Sequence, residues 1–307
     1  MIGCDLGSNT LRIVQIACES KTRVKAFERI VRTAKDLHVT GMISETSKRN
    51  IINALHEASK VFDFKEEKCF CVTTEAMRVA SNAAAILDEI EAEFGLHFEI
   101  ISGEREAYLT SLAIEHALKR EGFEHQTYAL FDLGGGSTEL TFCLNGIKHS
   151  QSFPFGIINT AERYTQEREA HVERIVESIS PFMQTQPDIS STFLQLVTTA
   201  GTPTTVAAFL EGLDYAHYDV RRVNGKILHV KDFAEAYERL ISMNESDAER
   251  FTGTNRRDLV VVGILIVKAM MRKLGFEKCV VVDDGLREGV VLEQCYNLAR
   301  SSNTPSK

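Results

Sequence analysis

The chain has 307 residues, 44% hydrophobic and 25% charged, with a formal net charge of −8. That composition is globular, and the length suits two modest domains or one large one. The acidic balance argues against general nucleic-acid or membrane-surface binding, so a polyanionic ligand would need a locally basic cleft.

In chain order, IGCDLG, TLRIVQIA and TRVKAFERIVRT read as strands. Residues 47–62 carry apolar side chains at helical spacing after a serine cap. KCFCVTT is a short strand, ASNAAAILDEIEAEFG a helix ending at Gly95, and HFEIIS a strand leading into the helix EREAYLTSLAIEHAL. The order then restarts. TYALFDLGGG, STELTFCLN and IKHSQSFPF are strands, the last two joined by Asn145-Gly146, a strong hairpin signal. Helices follow near 156–184, then the strand FLQLVTTAG and the helix TPTTVAAFLEG. The chain closes with the helix RRDLVVVGILIVKAMMRKLG, the strand KCVVVDDG and the helix LREGVVLEQCYNLAR. The run LVVVGILIV is half the length of a membrane span and reads as a buried helix.

Each half opens on the same loop, Asp5-Leu6-Gly7 and Asp132-Leu133-Gly134, an architectural repeat offset by about 127 residues. Two α/β halves facing each other would form a cleft with both loops at the carboxyl ends of strands. The expected boundary lies at residue 124, giving domains 1–124 and 125–307, with the helix near 288–301 packing back onto the first. Seven cysteines, an odd and scattered count, suit buried free thiols in a reducing compartment. No basic leader precedes MIGCDLG, so a cytoplasmic location is expected.

Glycine runs weaken strands, and the return is a turn whose N–H groups can approach a ligand. In DLGSNT the candidates are Gly7, Ser8, Asn9 and Thr10; in DLGGGST they are Gly134, Gly135, Gly136, Ser137 and Thr138. Such turns form anion nests, to which hydroxyls add donors. Asp5 and Asp132 would repel a phosphate directly but can hold a metal ion, often through water. TTAGTPTTVAA places Gly201 and Thr202 at a helix start that offers free N–H groups. In VDDGLREGV, Asp283 and Asp284 suit either metal-bound water or a helix cap, capping being the better reading for one of them. ISGEREAYL puts Glu104 and Glu106 in the first turn of a helix, where a carboxylate can orient water and take its proton. Periodicity does not choose between them. Arg78, Arg105, Arg221, Arg222, Lys226, Arg256 and Arg257 are the cations available to a phosphate channel, guanidinium being the better donor.

Together IGCDLGSNTLRIVQI, TTEAMRVASN, EIISGEREAYL, LFDLGGGSTEL, TAGTPTTVAA, NRRDLVVVG and DDGLREGV resemble the exopolyphosphatase/guanosine pentaphosphate phosphohydrolase (Ppx/GppA) family, in its short two-domain form. The motifs run in family order from residue 2 to about 290. The resemblance implies an α/β fold of two ribonuclease H-like domains of the sugar kinase/Hsp70/actin superfamily, facing across a cleft. It also implies Mg²⁺-dependent removal of a terminal phosphate, Mn²⁺ being an alternative. On the family pattern Glu106 is the catalytic base, Asp132 helps hold the metal, and Arg78 stands near the phosphates. Asp5 through water and Asp284 are further metal candidates. Arg105 and Arg257 depart from the pattern, and both add positive charge.

The leading expectation is hydrolysis of inorganic polyphosphate, with guanosine pentaphosphate as a second substrate and guanosine tetraphosphate as a related ligand. Neither nucleic acid nor membrane is an expected partner, and a homodimer is compatible with the family. Two other readings use the same loops: an ATP-dependent small-molecule kinase and a non-catalytic polyphosphate or alarmone sensor.

Overall fold

The computed structural model describes residues 1–193 and 195–302. They divide into two compact units, Met1–Ala113 together with the chain from Asp284, and Ile114–Asp283. The division falls inside the helix Gly103–Glu121, upstream of residue 124. The reason is packing: Ile114, Ala117 and Leu118 share a core with Tyr128, Leu130, Val197 and Val280 of the second unit.

In the first unit, β1 (Ile2–Leu6), β2 (Thr10–Ala17) and β3 (Thr22–Ile30) form an antiparallel meander. β4 (Cys69–Thr73) joins β1 in parallel and β5 (Phe98–Ile100) joins β4, giving the order β3-β2-β1-β4-β5. Alternation along β1 sorts its side chains between two layers. Ile2, Cys4 and Leu6 enter a core with Ile51, Ala54 and Leu55 of the helix Glu45–Ala58. That helix starts earlier than the sequence suggests, because Ser44 is its cap and accepts from Ser47 N at 3.1 Å. The other face of β1 is covered by the C-terminal helix Leu286–Ser302. It approaches so closely that a Cβ on Gly3 would stand 2.4 Å from Arg287 O. On the helix itself, a Cβ on Gly289 would stand 1.9 Å from Leu109 O. Val291, Leu292 and Cys295 of the same helix pack with Val14, Ile16 and Ala113.

This helix corrects the thiol expectation. It brings Cys295 to Cys18, at the end of β2, and the two form a disulfide across 277 residues of sequence. Cys4, Cys69, Cys71, Cys143 and Cys279 are free thiols. Burial raises the thiol of Cys69 to about 12, as it does that of Cys279.

The second unit repeats the plan. β6 (Tyr128–Leu133), β7 (Thr138–Leu144) and β8 (Ile147–Phe153) form the meander, turned by Asn145 and Gly146 at φ 52° and 80°. β9 (Leu196–Thr199) runs parallel to β6. β10 (Lys226–His229) lies at the edge, antiparallel to β11 (Lys278–Val281), which itself pairs with β9 in parallel. The order is β10-β11-β9-β6-β7-β8, the first unit's order with one added edge strand. Leu228 is the one buried residue of β10, so the sequence carries little signal for it. The apolar run near 259–267 lies in the helix Arg257–Leu274, buried on nearly all sides. Among the described residues no helix is long and apolar enough to cross a membrane.

Two stability outcomes follow from the C-terminal helix. Cys295→Ser should lower unfolding free energy by about 3 kcal/mol without reductant, and wild type should fall to the same value when reduced, as read by urea titration. Gly289→Ala should cost about 2–3 kcal/mol in the same assay through overpacking against backbone, where an unobstructed Gly→Ala change would stabilise.

Candidate active site

A peptide plane carries its carbonyl and the next residue's N–H in opposite directions. In the second unit that geometry decides what the glycine loop offers. The carbonyls of Gly134 and Gly135 accept from Ile157 N (3.0 Å) and Ile158 N (2.8 Å), at the start of the helix Ile157–Arg163. The carbonyl of Gly136 accepts from Asn159 Nδ2 at 2.8 Å. The N–H groups of Gly135, Gly136 and Ser137 are therefore turned away from the helix. Among the described residues none of the three has a hydrogen-bond partner. The helix can come this close because residue 156 is glycine: a Cβ there would lie 2.6 Å from the carbonyl oxygens of Gly134 and Gly135. Gly134 N closes the turn on Ser137 O (3.0 Å), and Thr138 Oγ1 is committed to Phe155 O (2.6 Å). Three consecutive free N–H donors make an anion nest.

The loop after β1 is built on the same plan. Gly7 N donates to Thr10 O (3.0 Å), Asn9 O accepts from Val31 N and Arg32 N (both 2.9 Å), and Ser8 O accepts from Ala34 N (2.8 Å). With the Ser8 carbonyl held, the Asn9 N–H points the other way. Ser8, Asn9 and Thr10 are buried, and Asn9 Oδ1 meets no donor among the described residues.

The structure separates the two glutamates that periodicity could not. Glu104 is exposed at the open start of the helix Gly103–Glu121. Its own backbone N–H, then the Ser102 hydroxyl and the Arg78 charge, hold its carboxyl below the usual range. Glu106 is 9% exposed, and its Oε2 lies 3.3 Å from Arg78 Nη1. Arg78 reaches it from the short helix Glu75–Val79, which leaves the end of β4. Glu106 thus combines burial with a cation at its side, the setting of a positioned base.

Register gives the carboxylates considered for a metal different neighbours. Asp132 stands directly opposite Glu139 in the β6–β7 pair, so both side chains share one face, with Cβ atoms about 5 Å apart. Glu139 is 2% exposed and accepts from Ser152 Oγ at 2.6 Å. At the matching place in the first unit, Asp5 faces Arg12, which is tied to Glu28 at 3.0 Å. A half-buried aspartate beside a buried glutamate suits a hard divalent cation that keeps several waters, whereas an Asp opposite an arginine is already near a positive charge. The donor set in the second unit therefore fits Mg²⁺ or Mn²⁺. Among the described residues no group of three His, Cys, Asp or Glu gathers as a metal cage. Glu139 escaped sequence reasoning; its signal was a lone acid in the otherwise uncharged strand TELTFCL.

Asp284 lies in the first unit, buried, with Oδ1 3.5 Å from Arg23 Nη2. Asp283 lies in the second and accepts from Tyr218 OH at 2.8 Å. The expected cap of the last helix is supplied instead by Glu288, whose Oε2 accepts from Gly285 N at 2.9 Å. Glu288 can do this because it sits one turn into the helix and also faces Arg23 and Arg287. At the other proposed helix start, Ala200 holds φ 73°, a conformation that favours glycine. Thr202 is buried against the helix Arg257–Leu274, at a place where a Cβ on Gly263 would stand 2.1 Å from its Oγ1. Its side chain fills that contact, so what Gly201 and Thr202 offer a ligand is backbone.

The remaining cations are sorted by their partners. Arg105 makes a two-pronged pair with Glu293 (2.7 and 2.5 Å), which raises its pKa. Arg221 is held by Asp219, Arg222 and Lys226 by Glu211, and Arg257 by Leu240 O, Ile241 O and Glu245. Arg256 differs. It is 3% exposed, its guanidinium lies over the Tyr215 ring at 5.7 Å, and among the described residues it meets no carboxylate.

Comparison with known proteins bears on the family of the chain. Over 94% of its length the chain is 25% identical to exopolyphosphatase 2 of Mycobacterium tuberculosis, spanning 96% of that protein. It is 27% identical, again over 94% of its length, to a guanosine-5'-triphosphate,3'-diphosphate pyrophosphatase of Photobacterium profundum, of which it spans 58%. Among solved structures, the Ppx/GppA family member of Aquifex aeolicus superposes with a TM-score of 0.74 at 27% identity, covering 99% of this chain and 98% of that one. The family model for Ppx/GppA phosphatases matches residues 13–298, and the chain belongs to the Ppx/GppA phosphatase family.

Proposed function

We propose that the chain is a phosphoanhydride hydrolase that removes the terminal phosphate of inorganic polyphosphate, with guanosine pentaphosphate as a second substrate. The observation that carries this reading is the row of free N–H groups at Gly135, Gly136 and Ser137, a ready cradle for phosphate oxygens. One relative matched over nearly the whole length of both proteins is an exopolyphosphatase, which favours polyphosphate as the first substrate.

In this mechanism the glycine loops hold phosphate oxygens through backbone N–H groups. Glu106 orients a water and takes its proton as the water oxygen attacks the terminal phosphorus. The bridging oxygen leaves with the shortened chain, and orthophosphate is released. Arg78 offsets charge on the transferred group, and Arg256 is a further cation free to meet an anion. Asp132 and Glu139 are the residues to hold Mg²⁺ or Mn²⁺, and such an ion supplies charge neutralisation on phosphate oxygens when bound. Catalysis is then positioning plus electrostatics, as expected for phosphoryl transfer.

Phosphate release should be followed from long-chain polyphosphate and from guanosine pentaphosphate in parallel. Glu106→Gln should lower kcat by about 10³-fold on both, within the range for a general base. Turnover near wild type in that variant would refute the base assignment, and γ-phosphate transfer from ATP to a metabolite, with no release to water, would favour a kinase. Asp132→Asn and Glu139→Gln should each raise the Mg²⁺ concentration needed for half-maximal activity by about tenfold, the cost of a lost ligand or its support. An unchanged Mg²⁺ titration in both would remove the metal from that pair.

A further inference from the structure

We propose that Glu75 is a positioning residue that fixes the Arg78 guanidinium and keeps it from closing onto Glu106. This rests on the roles given above to Glu106 and Arg78. One carboxylate oxygen of Glu75, Oε2, accepts from both Arg78 Nε (3.1 Å) and Nη2 (3.0 Å). On the other side Arg78 Nη1 donates to Ile101 O at 2.6 Å, just past the end of β5. Only then comes the longer contact from Nη1 to Glu106 Oε2, at 3.3 Å.

A guanidinium has five N–H groups in a rigid plane. Here Glu75 and Ile101 O take three of them and Glu106 a fourth, loosely. One N–H on Nη2 remains, and among the described residues Arg78 has no further partner. An incoming phosphate therefore finds that N–H and can compete for the long Glu106 contact. The clamp is local to the sequence: Glu75 and Arg78 lie one turn apart on the helix Glu75–Val79. Both are only 20–25% exposed, so the pair is shielded more than a surface ion pair.

Charge gives the clamp a second effect. Glu75 and Glu106 share one arginine, and each weakens its hold on the other. Without Glu75, Nε and Nη2 lose their acceptor and the guanidinium can turn its paired edge to Glu106, in the two-pronged geometry that arginine and carboxylate prefer. The base and the phosphate-binding cation would then occupy each other.

The test is a double-mutant cycle on phosphate release, with unfolding midpoints measured alongside. Glu75→Ala should lower kcat about 30-fold, in line with the cost of a misplaced group. Glu75→Gln, which keeps one acceptor oxygen, should recover most of that loss. In an Arg78→Ala background, Glu75→Ala should cost less than about twofold, because its effect runs through Arg78. Where Arg78→Ala turns over too slowly to measure, Arg78→Lys serves, since one ammonium cannot fill the fork. A loss of similar size in both backgrounds, or a wild-type kcat in Glu75→Ala, overturns the proposal. Glu106→Gln in the same assay keeps the two failures apart: activity there refutes the underlying mechanism, whereas inactivity there with additive Glu75 effects refutes only the clamp.

Discussion

The close seat of the helix Ile157–Arg163 on the Gly134–Gly136 carbonyls is the contact on which the row of free N–H groups, the proposed phosphate cradle, depends. A glycine turn by itself is flexible and could direct its peptide planes either way. Holding three carbonyls from one side fixes all three N–H groups on the other, before any ligand arrives. The cost of ordering so many glycines is met once, in folding, and need not be met again on binding. Gly156 permits the approach and Asn159 completes it. Neither residue touches the cradle's open side, yet both decide where it points.

The repeat shows how one architecture yields two loops of different character. Each unit begins with a meander, each first strand ends in Asp-Leu-Gly, and each loop is pinned through its carbonyls. The residue opposite the aspartate then differs. Arg12 faces Asp5 and carries a positive charge already tied to Glu28, while Glu139 faces Asp132 and doubles the negative charge there. A divalent ion is attracted to the second arrangement and discouraged by the first. The asymmetry is one residue deep, at the same register position, and gives the two copies of a duplicated frame different charge.

Much of this was legible in sequence because it rests on short-range rules. Alternation gave the strands, glycine the turns, and Asn145-Gly146 the hairpin between β7 and β8. The DLG repeat was visible because each copy is contiguous. What stayed hidden depends on residues brought together from afar. Glu139 looks like an ordinary strand residue until register sets it against Asp132. Asn159 is an unremarked helix residue until its amide is seen on Gly136. Glu106 was told from Glu104 in the sequence only by the family pattern, and burial gives the physical difference between them, while Glu75 acquires meaning through the five donors of Arg78. The partners that neutralise most of the arginines are likewise set by packing, which is why Arg256 could not be singled out among its neighbours.

The link between Cys18 and Cys295 gives the molecule a covalent topology unlike its linear sequence. The 277-residue separation encloses most of the fold, including the Gly134–Ser137 loop and the described strands β3 to β11, in one ring, while β1, β2 and the glycine loop between them lie outside it. A single peptide cleavage anywhere inside that ring opens it without releasing a fragment. The nicked molecule would keep its mass on a non-reducing gel and part into two chains only when the sulfurs are reduced. Proteolysis within the ring and loss of a piece are thus separate events in this protein, and the redox state of its surroundings decides whether the second follows the first.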